Sequence, residues 1–289
     1  MRQDLPAVSL RRICRVLTSS RSVVYSSRTT AGATGSAKPA LDENLAQRVR
    51  ELAREHPTFG YRRLWVLLRS AEGLPVNIKK VHRLVKVLKL QVKQRLVAPR
   101  PRVQQRRSST QASNERWAMD VTHVYCGKDG WGHLAAVIDC HDRQIVGYEF
   151  SLRGRSKEAE RALEAACLSR FGTVRPLGHT PIIRSDIRDA QARRNGLIFT
   201  SKRFREACKF YRLPQEFITP YTPEQNGLVE RFFRSLKEEC VWQYNFASFD
   251  EARLKIREWI GWYNQERPHQ ALGYLSPAIF RQKEQQTVV

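Results

Sequence analysis

"RWAMDVTHVYCGKDGWGHLAAVID", residues 116–139, decides the fold. Apolar and β-branched side chains run or alternate through its two ends, and "CGKDGW" (126–131) supplies a glycine-containing hairpin turn between them. Two strands are predicted here, with a third at "QIVGYEFSL" (144–152). One residue breaks the pattern. Asp120 sits inside the first strand between Met119 and Val121, where a carboxylate costs stability unless it is paired or binds a cation.

Downstream, "SKEAERALEAACLSRF" (156–171) reads as a helix and "TPIIRSD" (180–186) as a strand ending in Asp186. "SKRFREACKFYRL" (201–213) is a second helix and "PQEFIT" (214–219) a short strand, followed by helices at 223–242 and 249–266. Three meandering strands and then alternating helices and strands predict a mixed five-stranded α/β sheet. In that arrangement the end of the fourth strand can lie beside the middle of the first. In the helix opened by "TPEQ", Thr222 reads as N-cap, Pro223 as the first helical residue and Gln225 as the capping-box partner. Glu230 on this helix shares a face with Lys237, since seven residues make about two turns.

Singly, each of these acids reads as an ordinary surface or first-turn residue. Together, Asp120, Asp186 and Glu230 come from separate elements and make a hard-oxygen site for divalent cations. Two such ions can activate a water or hydroxyl and stabilise the leaving oxygen in phosphoryl transfer.

The charge distribution points to the same substrate. Residues 1–115 hold 24 Lys/Arg against 7 Asp/Glu, while the remainder holds 27 against 21. A basic front half on a nearly balanced back half suggests a polyanion-binding module joined to something else. No apolar run approaches the roughly 18 residues of a spanning helix, so nucleic acid is expected rather than a membrane. The six cysteines are scattered without zinc spacing and read as reduced core residues.

Within the front half, "SLRRICRVLTSSRSVVY" (9–25) carries part of a helix-turn-helix pattern, and 26–40 reads as a linker. Residues 41–92 place Leu45, Val49 and Leu52 on one helical stripe and Leu64, Leu67 and Leu68 on a second. Val81, Leu84, Val85 and Leu88 form a third, with Asn77 as its N-cap. Lys79, Lys80, Arg83 and Lys86 crowd the exposed side of this last helix, as a recognition helix requires, although a solvated basic face has the same pattern. Residues 93–114 form a basic connector with no acidic residue, able to lie along phosphates.

"NERWAMDVTHV", "VIDCHDRQIVGYEFS", "ITPYTPEQNGLVERFFRSLKEE" and "WYNQERPHQALGYLSP" together resemble the integrase core of bacterial insertion-sequence transposases. In particular they resemble the second-reading-frame protein of the family founded on insertion sequence three, kin to retroviral integrases. "HPTFGYRRLWVLL" is similar to the helix-turn-helix that precedes that core. The resemblance implies a ribonuclease-H-like catalytic core at 115–282, with 283–289 as a tail, and an Asp120, Asp186, Glu230 triad binding Mg²⁺ or Mn²⁺, two ions in all. It implies nicking at the element's terminal inverted repeats, then attack of the freed 3′-hydroxyl on target DNA. Lys237 matches the family's phosphate-contacting basic residue. Asn226 matches an Asn that positions DNA or the metal shell. Such a protein acts in the bacterial cytoplasm, on the nucleoid, as a homo-oligomer that pairs two DNA ends. An upstream reading frame can supply a partner or a fusion. "ERPHQALGY" (266–274) reads as packing more than chemistry, with Leu272 and Tyr274 as core anchors.

One motif departs from the family. There, the second Asp is followed directly by Asn-Gly, with thirty-five residues before the Glu. Here 43 residues separate Asp186 from Glu230, and "IRDAQARR" (187–194) stands between Asp186 and Asn195-Gly196. Removing those eight restores the family spacing. Asp186 keeps the strand half of the motif; Asp189 is the alternative second acid. An intact transposase, a remnant that only binds DNA, and a ribonuclease-H-like nuclease acting on RNA all remain open on sequence grounds.

Overall fold

In the computed structural model, the described residues are 14–16, 42–92, 110–186, 196–218 and 226–287. The remainder, including most of 9–25, all of 187–194 with Asp189, and Thr222, Pro223 and Gln225, lie outside them. The chain divides into two compact units, Met1–Gln47 and Arg48–Val289.

The predicted meander forms. Strands β1 (Arg116–Tyr125), β2 (Trp131–Asp139) and β3 (Ile145–Ser151) pair antiparallel, and a short 3₁₀ turn at Gly127–Asp129 joins the first two. Strand β4 (Ile182–Ser185) then enters parallel to β1, and β5 (Gln215–Phe217) parallel to β4. The sheet order is therefore β3-β2-β1-β4-β5.

Side-chain alternation along β1 separates two cores. Trp117, Met119 and Val121 face helices α4 (Ser156–Phe171) and α6 (Lys202–Phe210), packing with Leu163, Phe204 and Ile183. Ala118 and Val124 face helices α7 (Gly227–Glu239) and α8 (Phe249–Gln265), packing with Val229, Leu236, Ile256 and Tyr263. A sheet hydrophobic on both faces and covered by helices on both is a three-layer α/β core. Gly147 on β3 allows α4 its close approach: a Cβ there would stand 2.3 Å from the Ala162 carbonyl oxygen and 2.5 Å from the Ala166 nitrogen. Behind β2, Asp139 and Asp142 are fully buried and share Arg170 from the last turn of α4, whose Nη2 reaches Asp142 at 2.7 Å. The six cysteines are buried and in no disulfide.

Before the core, α1 (Glu43–Glu55) buries Leu45, Val49 and Leu52 as the stripe predicts. Helix α2 (Tyr61–Val66) does not continue as a regular α-helix through Leu67 and Leu68. It widens into a π turn at Leu67–Ala71, which keeps Leu68 buried with Leu64 and leaves Leu67 partly exposed. Helix α3 (Ile78–Val87) begins at Asn77, whose Oδ1 accepts the Lys79 backbone N–H at 2.8 Å. It buries Val81, Leu84 and Val85; Leu88 caps its end and is only half-buried.

Helix α7 is described from Gly227, with Asn226 as N-cap (φ −108°, ψ 10°); the expected cap at Thr222 lies outside the described residues. A final helix, α9 (Pro277–Thr287), runs across residue 282. A short helix, α5 (Gly196–Thr200), precedes α6.

Candidate functional site

The parallel pairing of β1 with β4 sets the acidic centre. Met119 is the register partner of Ser185, so the next residues, Asp120 and Asp186, stand level on neighbouring strands. Met119 belongs to the α4/α6 core, and alternation turns Asp120 to the opposite face, the one α7 covers. Both acids are half-buried. One oxygen of Asp120 accepts the Val121 backbone N–H at 2.8 Å. Beside them, burial of Glu216 on β5 is outweighed by its hydrogen bonds to Arg184 and Arg116, which hold its carboxyl below the ordinary range.

Glu230 lies in the first turn of α7 and is exposed, next to Val229, which anchors the helix in the core. Lys237 is seven residues further along the same unbroken helix, half-buried and on the same face. Asn226 is 1% exposed, and neither atom of its amide has a hydrogen-bond partner among the described residues. The donors are hard oxygens of the kind Mg²⁺ or Mn²⁺ prefers. Yet among the described residues no three His, Cys, Asp or Glu side chains gather closely enough to hold a metal ion. Asp120 and Asp186 stand level in register, and Glu230 lies on the helix that covers the face to which Asp120 turns.

On the basic side, Lys79, Lys80, Arg83 and Lys86 are all exposed on α3. A buried cluster that sequence reasoning missed ties this region to α7. Glu239 at the end of α7 accepts hydrogen bonds from Arg267 at 2.7 and 2.6 Å and from Arg63 of α2 at 3.3 Å. Both guanidinium groups lie over Phe59, at 4.9 Å for Arg63 and 6.0 Å for Arg267. His56 stacks between Phe59 and Trp262 at 4.7 and 5.4 Å. Burial, reinforced by Arg267, Arg63 and Arg143, pushes His269 down to about 3, so it stays neutral against the Tyr263 ring. "ERPHQALGY" thus packs, as expected, and Leu272 is its buried anchor, whereas Tyr274 is half-exposed. Arg231 and Arg234, on the exposed side of α7, were also missed. Their spacing after Glu230 is the one available signal.

Residues 110–223 and 211–277 each match a family model described as an integrase core domain, and residues 40–96 match an HTH-like domain. An uncharacterized 39.2 kDa protein of insertion element IS476 from Xanthomonas euvesicatoria is 31% identical over 274 residues, covering 94% of this chain and 72% of its own. The chain belongs to the insertion-sequence transposases with an integrase core. It is similarly related to an insertion element IS407 protein of Burkholderia multivorans, at 29% identity over 97% of this chain and 93% of the relative. Transposase InsD of insertion element IS2 from Escherichia coli is 26% identical over 82% and 77% of the two chains. Among solved structures, the catalytic core of HTLV-2 integrase in complex with magnesium aligns with 23% identity and a TM-score of 0.44, covering 60% of this chain and 99% of that one. By its integrase core and its transposase relatives the chain is a polynucleotidyl transferase by family, with an HTH-like domain ahead of its core. Among its described residues no helix is long and apolar enough to cross a membrane.

Proposed function

We propose that Asp120, Asp186 and Glu230 form the acidic centre with which this transposase nicks its element's terminal inverted repeats and joins the freed 3′-hydroxyl to target DNA. The observation that carries the reading is the level placement of Asp120 and Asp186 on adjacent parallel strands, facing the helix that bears Glu230. Asp120, Asp186 and Glu230 would hold a divalent cation, Mg²⁺ or Mn²⁺ and two in the full site, which would supply charge neutralisation at the scissile phosphate and an activated oxygen nucleophile. Lys237 holds a phosphate near the scissile bond, and Asn226 orients the strand at the opening of α7. Lys79, Lys80, Arg83 and Lys86 contact DNA from α3.

Residues 41–92 form the DNA-binding domain in this reading, 93–114 a connector along phosphates and 115–282 the catalytic core, with 1–40 and 283–289 flanking them. Two DNA ends require at least two copies of the chain, acting in the cytoplasm on the nucleoid with or without an upstream-frame partner.

The eight-residue insertion favours a second reading. "IRDAQARR" follows Asp186 directly, and a catalytic group displaced by about 1 Å can lose on the order of a hundredfold in rate. A DNA-binding remnant would follow. Nicking and joining of an element-end duplex in Mg²⁺, by the intact chain and by a chain lacking 187–194, separates the two. Activity of the intact chain supports the transposase; activity only after deletion supports the remnant.

A further inference from the structure

A recess of about 1000 Å³ lies between helices α2 and α3 and the exposed side of α7. Arg231, Arg234 and Glu238 form its α7 wall, Tyr61 and Arg62 its α2 wall, and His82 of α3 its rim. The acids in it are already engaged: Glu238 pairs with Arg234 at 2.9 Å, and Glu239 with Arg63 and Arg267. Arg62 and Arg231 are different. The Arg62 guanidinium rests 5.7 Å from the Tyr61 ring centre and donates to its hydroxyl at 3.2 Å, and neither arginine has a carboxylate partner among the described residues. The recess therefore carries uncompensated guanidinium charge on two facing walls.

Its position gives that charge a purpose. His82 lies on the helical stripe of Lys79, Arg83 and Lys86, so the basic face of α3 borders one edge. Arg234, in the same lining, stands four residues and about one turn from Glu230 on α7, so the other edge opens beside the proposed catalytic acid. Planar guanidinium forks bind phosphate bidentately, and Trp242, 54% exposed in the lining, offers an apolar surface to the sugar-phosphate chain.

We propose that this recess is a phosphate-backbone channel leading DNA from α3 to Glu230, with Arg62 and Arg231 as its clamps. It rests on the transposase reading. The clamps set the path of the strand between recognition and cleavage, and each holds one phosphate by displacing counterions.

The test is duplex DNA of mixed sequence, titrated by fluorescence anisotropy at several salt concentrations. The full chain is compared with R62A/R231A and with R253A/R257A, which removes equal charge from the exposed side of α8, outside the recess. Each lost phosphate contact flattens the slope of log affinity on log salt by about 0.9, so R62A/R231A should lose nearly two units and R253A/R257A almost none. A wild-type slope in R62A/R231A, or an equal loss in both variants, overturns the channel while leaving the transposase reading intact. Failure of the wild-type chain to bind duplex DNA overturns both. Should R62A/R231A not fold, arginine modification by phenylglyoxal decides on the wild-type chain. DNA should protect Arg62 and Arg231, and equal modification with and without DNA refutes the channel.

Discussion

Arg267 and Glu239 form a two-point ion pair, at 2.7 and 2.6 Å, with their side chains only 3% and 8% exposed. Arg63 joins the same carboxylate, so the end of α7, the segment after α8 and the second helix of the HTH-like region meet on one buried acid. Replacing Arg267 by alanine leaves Glu239 charged, buried and short of its main partner. Breaking such a pair from one side costs about 3–5 kcal/mol. Urea denaturation should show that loss, and a cost below about 1 kcal/mol would mean the pair is well solvated.

Asn77 caps α3 through the Lys79 N–H. Asn77→Ala should cost about 1 kcal/mol and weaken duplex DNA binding, because Lys79 and Lys80 stand on the first turn that the cap holds. Binding that is unchanged while stability falls would remove α3 from the DNA interface.

Gly147→Ala places a methyl against α4 backbone atoms that cannot rotate away. Overpacking of this kind costs about 1–3 kcal/mol. Thermal unfolding measures it, and a neutral result would show that α4 can lift from β3 freely.

His141 gives the pH prediction. Burial pushes its imidazole down, but its 2.6 Å contact with Glu284 of α9 and the Thr110 carbonyl outweigh burial and raise it above the ordinary histidine value. A raised folded-state value means the contact contributes fully below the unfolded value of about 6.5 and is lost as pH rises through the folded one. Amide exchange along α9, corrected for its intrinsic pH dependence, should therefore lose protection on the alkaline side of that window. His141→Gln should flatten the profile. A wild-type profile already flat from pH 6 to 9, roughly, would rule out the linkage.

Much of this architecture is legible in residue patterns. The α4 span, 156–171, is set by its apolar period and by Glu158, which closes back on the Arg155 N–H at 3.0 Å. The meander follows from alternation around Asp120. Asp120 and Asp186 stand out by position, a carboxylate within a strand and one at a strand tip, whereas Glu230 in a first helical turn does not. Other features depend on contacts the one-dimensional pattern does not carry. Arg63 and Glu239 are 176 residues apart, and Arg267 and Glu239 are 28 apart. The π turn at Leu67–Ala71 has no sequence period distinct from a helix.

The level pairing of Asp120 with Asp186 is most directly tested by Mg²⁺-dependent nicking and joining of a duplex bearing the element's own end. The intact chain should cut and join, and Asp120→Asn and Glu230→Gln should each lower the rate by at least about a hundredfold, as expected for loss of a metal ligand. Activity that survives Asp120→Asn would contradict the acidic centre outright.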